Sequence, residues 1–537
     1  MSRRAPARSE RIAALQSRVF DVLVIGGGIT GCGIARDAAL RGLSVALVEK
    51  EDFASGTSSR SSRLIHGGVR YLEHGHLHLV FESSAERRRL LRIAPHLVRP
   101  LAFTWPVYAG ARIPRWKLDA GLMLYDALAL FRNVGRHRRL NRSAVLGLEP
   151  MLRSDGLTGG ARYFDAATND ARLTLANALA AAERGGVVVN HAAITSLRLE
   201  GGRVAGATVR DTLGEQTFDV RAAVVVNATG PWSDSVKRLD GEPGGTIRGS
   251  KGAHIAIPRA RIGNHDALTL ISPHDGRVLF VLPADAHAIV GTTDTYTATS
   301  PDTIRATNED VRYLLDSANA FFPRASVTTD DVVCAWAGIR PLLPVAGDTP
   351  GAASREHAIT VSGQGLVSIT GGKLTTYRVM AADVTKVLLE RLGCSPGGDE
   401  LTKSTPLPGG DFGSLDDLTG EAERATNDII LAAHLVHSYG SRWPRVWDEI
   451  QSGDGRATVA DGLPYTIGEF RYCWAHEMAG TLGDLLIRRT HLAFEARDHG
   501  MAAAECVAPA LEMDAETTRG AIQAYGSEVD RVFAIGT

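Results

Sequence analysis

The chain has 537 residues, a formal net charge of -1 and a sequence pI near 7.0, totals that carry no electrostatic footprint for nucleic acid and predict a soluble, enzyme-sized protein. That length exceeds what one hydrophobic core serves, so two or three lobes are expected. The cysteines at 32, 334, 394, 473 and 506 form no CxxC pair, which argues against a zinc site and a disulfide framework and fits a reducing compartment.

The N-terminus, "MSRRAPARSERIAALQSRVF", is basic without an apolar h-region, so secretion is not expected and residues 1–19 read as an extension. No stretch reaches the roughly 20 apolar residues of a membrane span. Next comes "FDVLVIGGGITGCGIARDAALRGLSVALVEK": an apolar run, glycines, a helical pattern and a second apolar run ending at Glu49. That order predicts strand, turn, helix, strand. Further strand-length runs at 187–189, 204–209, 224–229, 278–282 and 366–370 alternate with helical or turn-rich segments, the pattern of an α/β protein. Beyond Gly393 the stretch "CSPGGDELTKSTPLPGGDFG" marks a boundary, after which the periodicity is helical. The expected organisation is 20–398 as a nucleotide-binding domain interleaved with cap segments (about 100–160 and 245–335), then 399–537 as an all-helical domain.

Gly26, Gly28 and Gly31 form GxGxxG between a strand and a helix, which turns the backbone tightly and brings a helix N-terminus against a pyrophosphate. Glu49 ends the following strand, about 20 residues on, where a carboxylate accepts hydrogen bonds from a ribose diol. A dinucleotide is expected here, and the fingerprint alone does not separate FAD from NAD. The polar loop "SGTSSRSSRLIHGGVRYLEHG", containing Thr57, Ser58, Ser62, His66 and Gly67, suits a backbone that follows an extended cofactor toward a flavin ring. A solvated surface loop is the alternative. "VVVNATGPWSD" is a strand ending in the small residues Ala228, Thr229 and Gly230.

The stretches "TSSRSSRLIHGGVRYLE", "NDARL", "NATGPW", "KGAHI", "IVGTTDT", "AGIRPL" and "GGKLTTYR" follow the glycine fingerprint in order across residues 20 to about 390. Together they resemble the FAD-dependent, quinone-linked glycerol-3-phosphate dehydrogenases. The tail motifs "YGSR" and "HEMAGTLGDLLIRRTHLAF" resemble that family's C-terminal domain more loosely.

The resemblance implies an α/β fold: a Rossmann-like FAD-binding domain of the D-amino-acid-oxidase-like type, with an interleaved antiparallel-sheet cap and a C-terminal all-helical domain. It implies non-covalent FAD, with Gly338, Gly372, Lys373, Leu374 and Thr375 joining the cofactor residues above. It also implies oxidation of glycerol 3-phosphate to dihydroxyacetone phosphate by hydride transfer to flavin N5, with electrons passed to a membrane quinone. Matching positions assign His254 as base, Arg340 and Lys373 as cations at the developing alkoxide, and Arg70, Tyr71 and Arg355 as substrate-holding groups. A phosphomonoester carries nearly two charges, and a site that excludes water must return them as arginine or lysine. Arg63 departs from the family pattern, which has lysine before "LIHGG". A glycerol-3-phosphate oxidase would share every one of these motifs and reduce O2. A non-catalytic flavin-binding protein would lose the set His254, Arg340 and Lys373.

One segment remains, "ARIPRWKLDAGLMLYDALALFRNVGRHRRL" (111–140), with basic flanks, Trp116 and a short apolar middle. It reads either as a helix lying in a lipid headgroup region, with Leu122 and Leu128 in the bilayer, or as a buried domain helix. The expected location is cytoplasmic, peripheral on the inner face of the cell membrane. Oligomeric state, a homodimer included, is left open.

Overall fold

The structure, a computed structural model, describes residues 7–69, 72, 76–130, 134–343, 356–395 and 401–537. Two sheets organise the first four hundred residues. The first runs in the order His357–Val361, Val367–Gly371, Thr217–Asn227, Val19–Ile25, Val45–Val48, Val187–Val189. Its centre is parallel: Val24 pairs with Leu47 on one side and Val226 on the other. Strands buried on both faces must be apolar at nearly every position, which is why "VLVI" and "VALV" show no alternation. Helices Ile29–Leu40, Asp170–Glu183 and Tyr377–Leu392 cover one face through Ile34, Ala38, Ala178, Ala381 and Val384. The antiparallel strands Ala192–Glu200 and Arg203–Asp211 and the helix Arg8–Ser17 close the other.

The second sheet has ten strands, almost all antiparallel. Near one edge the strand Arg248–Pro258 is flanked by His287–Gly291 and by Cys334–Leu342, so that His254 stands beside Gly291 on one side and Trp336 on the other. The short strand Leu64–Ile65 pairs with Leu157–Thr168 at the far edge and ties the polar loop to this sheet. The two sheets face each other across the site described below.

From Leu401 onward the named elements are all helices. Two of the expected helices are broken. "AERATNDIILAAHLVHSYG" divides into Leu415–Thr426 and Ile429–Tyr439, because Asn427 takes a left-handed conformation (φ 53°) and the Asp428 carboxylate caps the next helix at the Ile430 and Leu431 amides. "FRYCWAHEMAGTLGDLLIRRTHLAF" is interrupted at Met478, also left-handed (φ 58°), between Ile467–His476 and Asp484–Arg489.

This helical region is joined to the first sheet by buried charge. Asp52, just past Val45–Val48, accepts from Arg488 Nε at 2.7 Å, Arg489 Nη1 at 2.6 Å and Asn190 Nδ2 at 2.9 Å. Arg172 and Glu477 form a second fully buried bridge at 2.7 Å. Removing one partner of such a network leaves a desolvated charge uncompensated. Asp52→Ala, which strands the Arg489 guanidinium and leaves Arg488 only Asp484 and Glu528, is expected to cost about 3–5 kcal/mol of stability. A fall in the thermal unfolding midpoint, without loss of secondary structure in the folded variant, checks this.

Candidate active site

A cavity of about 990 Å³ runs between the two sheets, from Glu49 and Lys50 at one end to Arg340 and Lys373 at the other. The glycine turn forms its floor. Gly26 has φ +107°, and a side chain there would sit 2.8 Å from the Ala228 carbonyl. Gly28 caps the helix Ile29–Leu40 and opens onto the cavity. Gly31 lies outside the lining, and its place is packing, since a Cβ would collide with the Gly26 carbonyl. The Glu49 carboxylate is buried and accepts from the Gly27 amide at 2.5 Å and the Glu51 amide at 2.9 Å. Burial raises its pKa and the two amide bonds oppose that rise. Each oxygen keeps a lone pair for a further donor.

The polar loop links this floor to the cap. Ser58 Oγ accepts from the Ile29 amide at 3.0 Å, and Thr57 Oγ1 donates to the Ile339 carbonyl at 2.6 Å. Gly338 passes against the Arg60 backbone, where a Cβ would lie 3.2 Å from its carbonyl oxygen. His66 donates its amide to Thr375 Oγ1 at 3.2 Å, closing the loop onto the segment after Lys373. Gly67 lies behind the wall and donates to Asp165 at 3.0 Å. Ala228, Gly230, Gly372 and Leu374 line the cavity, Gly230 and Gly372 with φ of +55° and +79°. Lys373, at the tip of Val367–Gly371, caps a short 3-10 turn (Leu374–Thr376) rather than an α-helix, which begins at Tyr377. Its Nζ is enclosed within the protein.

His254 and Arg340 come from neighbouring strands, and each is laid across a glycine. The His254 ring occupies the space where a Cβ on Gly291 would be, stacks on Trp336 at 5.3 Å with planes 12° apart, and meets Ser62 Oγ at 2.9 Å through Nε2. Burial, then the charges of Arg340 and Arg63, push its pKa down to about 3, so the ring is neutral at pH 7. The Arg340 guanidinium crosses Gly252, where a Cβ would lie 2.5 Å from Nη1 and 2.6 Å from Cζ. It reaches the turn after His287–Gly291, donating to Thr292 Oγ1 at 3.0 Å and to Asp294 at 3.3 Å. Ser250 Oγ holds the same Asp294 oxygen at 2.5 Å. Arg63 lies over the rings of Phe494 (4.7 Å) and Trp336 (5.5 Å), a stacking that suits a planar guanidinium better than the ammonium expected from the family pattern. Arg70, Tyr71 and Arg355 fall outside the described residues.

Several residues of the site carry no assignment from sequence. Gly252, Thr292 and Asp294 of the lining, and Gly291 beneath the His254 ring, lie within "KGAHI" and "IVGTTDT", where the motif was visible and the partner was not. At the opposite end, Lys50 sits 4.2 Å from the Trp232 ring and 2.5 Å from Asp302, which also accepts from Trp232 Nε1 at 2.9 Å. This clasp joins the first sheet to the cap beside Glu49. The side-chain-free cradle at Gly26, the helix N-terminus at Gly28 and a long cavity passing a carboxylate fit a dinucleotide such as FAD.

Comparison with known proteins agrees with that fit. A family described as FAD dependent oxidoreductase matches residues 21–378, and one described as the C-terminal domain of alpha-glycerophosphate oxidase matches residues 400–519. The aerobic glycerol-3-phosphate dehydrogenase of Bacillus subtilis is 35% identical over 494 residues, covering 90% of this chain and 89% of that protein. Glycerol-3-phosphate dehydrogenase 2 of Mycobacterium tuberculosis is 39% identical over 531 residues, covering 96% and 89%. The crystal structure of the Bacillus halodurans glycerol-3-phosphate dehydrogenase complexed with FAD superposes with a TM-score of 0.81 at 31% identity, covering 98% of both chains.

The Gly252 cradle yields a test that does not touch a charged group. Gly252→Ala inserts one methyl where the guanidinium lies, so Arg340 must leave Thr292 and Asp294. The expected result is a loss of at least about tenfold in kcat/KM, or about 1.4 kcal/mol, with flavin content unchanged. Steady-state kinetics alongside the flavin-to-protein absorbance ratio measures both.

Proposed function

This chain belongs to the FAD-dependent oxidoreductases of the glycerol-3-phosphate dehydrogenase family, and on that premise we propose that it oxidises sn-glycerol 3-phosphate to dihydroxyacetone phosphate. The observation that carries the reading is that Arg340, Lys373 and neutral His254 line the same cavity as the glycine turn. The names of the relatives support the substrate. The Gly26 and Gly28 turn, Glu49 and the Lys373 segment would hold FAD, which would supply the acceptor for the hydride that leaves carbon 2.

The protein's part is to bind, orient and move one proton. Nε2 of His254, held by Ser62 Oγ, takes the proton of the 2-hydroxyl. A ring whose pKa is near 3 is a weak base, but the second cause of that depression is the charge of Arg340. The negative charge that bound substrate brings into the cavity offsets that of Arg340 and strengthens the base. Arg340 and Lys373 face the oxygen that gains charge as its proton leaves and that becomes the carbonyl oxygen as hydride departs. Thr292 and Asp294 hold Arg340 in one orientation, so little reorganisation is needed at the moment of reaction. Arg70, Tyr71 and Arg355 complete the hold on substrate by family resemblance.

Anaerobic addition of glycerol 3-phosphate is expected to bleach the flavin, and glycerol, which lacks the anion, to do so very poorly. Arg340→Ala is expected to lower kcat/KM by about 2–5 kcal/mol, the range for truncating one partner of a desolvated charge pair. A change within twofold would remove Arg340 from the reaction.

The proposed acceptor is a membrane quinone, reached by peripheral contact through the segment 111–140. The helix there is Arg115–Leu128, and it has two apolar faces. Leu118, Leu122 and Tyr125 are buried in the cap core, which corrects the expectation that Leu122, at 0% exposed, meets lipid. The outer face carries Trp116 (72% exposed), Met123 (55%) and Leu124 (41%). Leu77 and Phe81 are also exposed, on the neighbouring helix Leu77–Ile93. Among the described residues no helix is long and apolar enough to cross a membrane. An exposed aromatic and two aliphatics between basic flanks suit interfacial binding, with about 1 kcal/mol per basic residue on anionic lipid, screened by salt. Binding to anionic liposomes that weakens at high salt is expected. Trp116→Ser with Met123→Glu should reduce it at least about tenfold while dye-linked activity survives. Unchanged liposome binding would sink this contact surface.

A further inference from the structure

Away from the large cavity, a pocket of about 230 Å³ opens at the seam between the first sheet's helices and the helical region. Its inner wall is Arg36, in the middle of the helix Ile29–Leu40 and only 1% exposed. Burying a guanidinium is costly unless its donors are satisfied and its charge is met. Arg36 donates Nη2 to the Thr405 carbonyl at 2.7 Å, and its buried Nε has no partner among the described residues. Two more cations, Arg184 and Arg442, line the same pocket, with the carboxylates of Glu183 and Asp411. Glu183 is engaged by Arg442 at 2.6 Å and Asp411 by Ser441, so neither reaches Arg36. Three arginines line the pocket with two carboxylates, and the carboxylate that offsets Arg36 is its helix neighbour Asp37, already engaged by Arg41 at 2.8 Å.

We propose that this pocket is a binding site for a small phosphate-type anion, inorganic phosphate or a short phosphomonoester, with Arg36 at its base and Arg184 at its rim. The ligand's oxygens accept from the Arg36 guanidinium at the base and from the rim guanidinium groups, in the multidentate manner arginine offers to phosphate. The volume excludes a nucleotide. Because Arg36 belongs to the nucleotide-binding helix while Thr405, Asp411 and Arg442 belong to the C-terminal region, the bound anion pins one to the other.

The test uses the FAD-loaded protein and thermal unfolding. Inorganic phosphate and glycerol 2-phosphate are titrated separately against potassium chloride of matched ionic strength, on the parent and on Arg184→Gln, Arg36→Met and Arg340→Ala. A ligand that binds only the folded state raises the midpoint saturably, here by about 2 °C or more. The rise is expected in the parent and in Arg340→Ala, with half-saturation shifted at least about fivefold upward in Arg184→Gln and the effect absent in Arg36→Met. If Arg36→Met does not fold, the shift in Arg184→Gln decides. The lower half-saturation of the two phosphates identifies the free ion or the ester as the better ligand. A rise lost in Arg340→Ala but unchanged in Arg184→Gln would place the phosphate in the large cavity and overturn the proposal. No saturable rise beyond the chloride control would overturn it as well.

Discussion

The site rests on one steric arrangement, a polar side chain lying flat across a strand that offers no side chain of its own. Arg340 crosses Gly252 to reach Thr292 and Asp294, and His254 does the same across Gly291. In a twisted antiparallel sheet, cross-strand neighbours stand about 5 Å apart, too close for a bulky group to lie sideways unless its neighbour is glycine. The glycines therefore let two polar groups sit side by side against the sheet. The anchors then matter, because a guanidinium in that position must have acceptors. Asp294, itself held by Ser250, supplies a charged one.

This arrangement needs a second wall, and the polar loop builds it. Thr57 bonds to the cap strand, Ser58 to the nucleotide-binding helix, and His66 to the segment after Lys373. A single stretch of chain thus locates three elements at once. A long polar loop is normally a solvated surface feature. Here its hydroxyls are taken up by elements distant in sequence, Thr57 and Ser58 on backbone groups and Ser62 on the His254 ring, so it serves as a spacer between two sheets.

The helical region acts on the site from outside the cavity lining. Phe494 and Trp336 flank the Arg63 guanidinium, and Trp336 is the ring on which His254 stacks. Arg63 in turn helps keep that histidine neutral. The same region is bonded to the first sheet through Asp52 with Arg488 and Arg489. Buried ion pairs of this kind add little net stability over an apolar core, but they define one docking geometry, because any other leaves charges unmet.

What the sequence determined by itself was whatever depends on neighbours along the chain. The strand, turn and helix around Gly26, the acid at Glu49 and the strand at 224–229 follow from local periodicity and from the backbone freedom of glycine. The motifs identified His254, Arg340 and Lys373 as residues facing one cavity. Tertiary structure decided the rest. Gly31 and Gly67 read as cofactor contacts and prove to lie behind the wall, since a glycine beneath a turn and one against a ligand have the same local signature. Leu122 read as lipid-facing and is core, because a helix apolar on two sides does not reveal in sequence which side packs. Gly252, Gly291 and Asp294 gained a purpose only once sheet register set them beside His254 and Arg340, and register is a relation between strands that no single segment encodes.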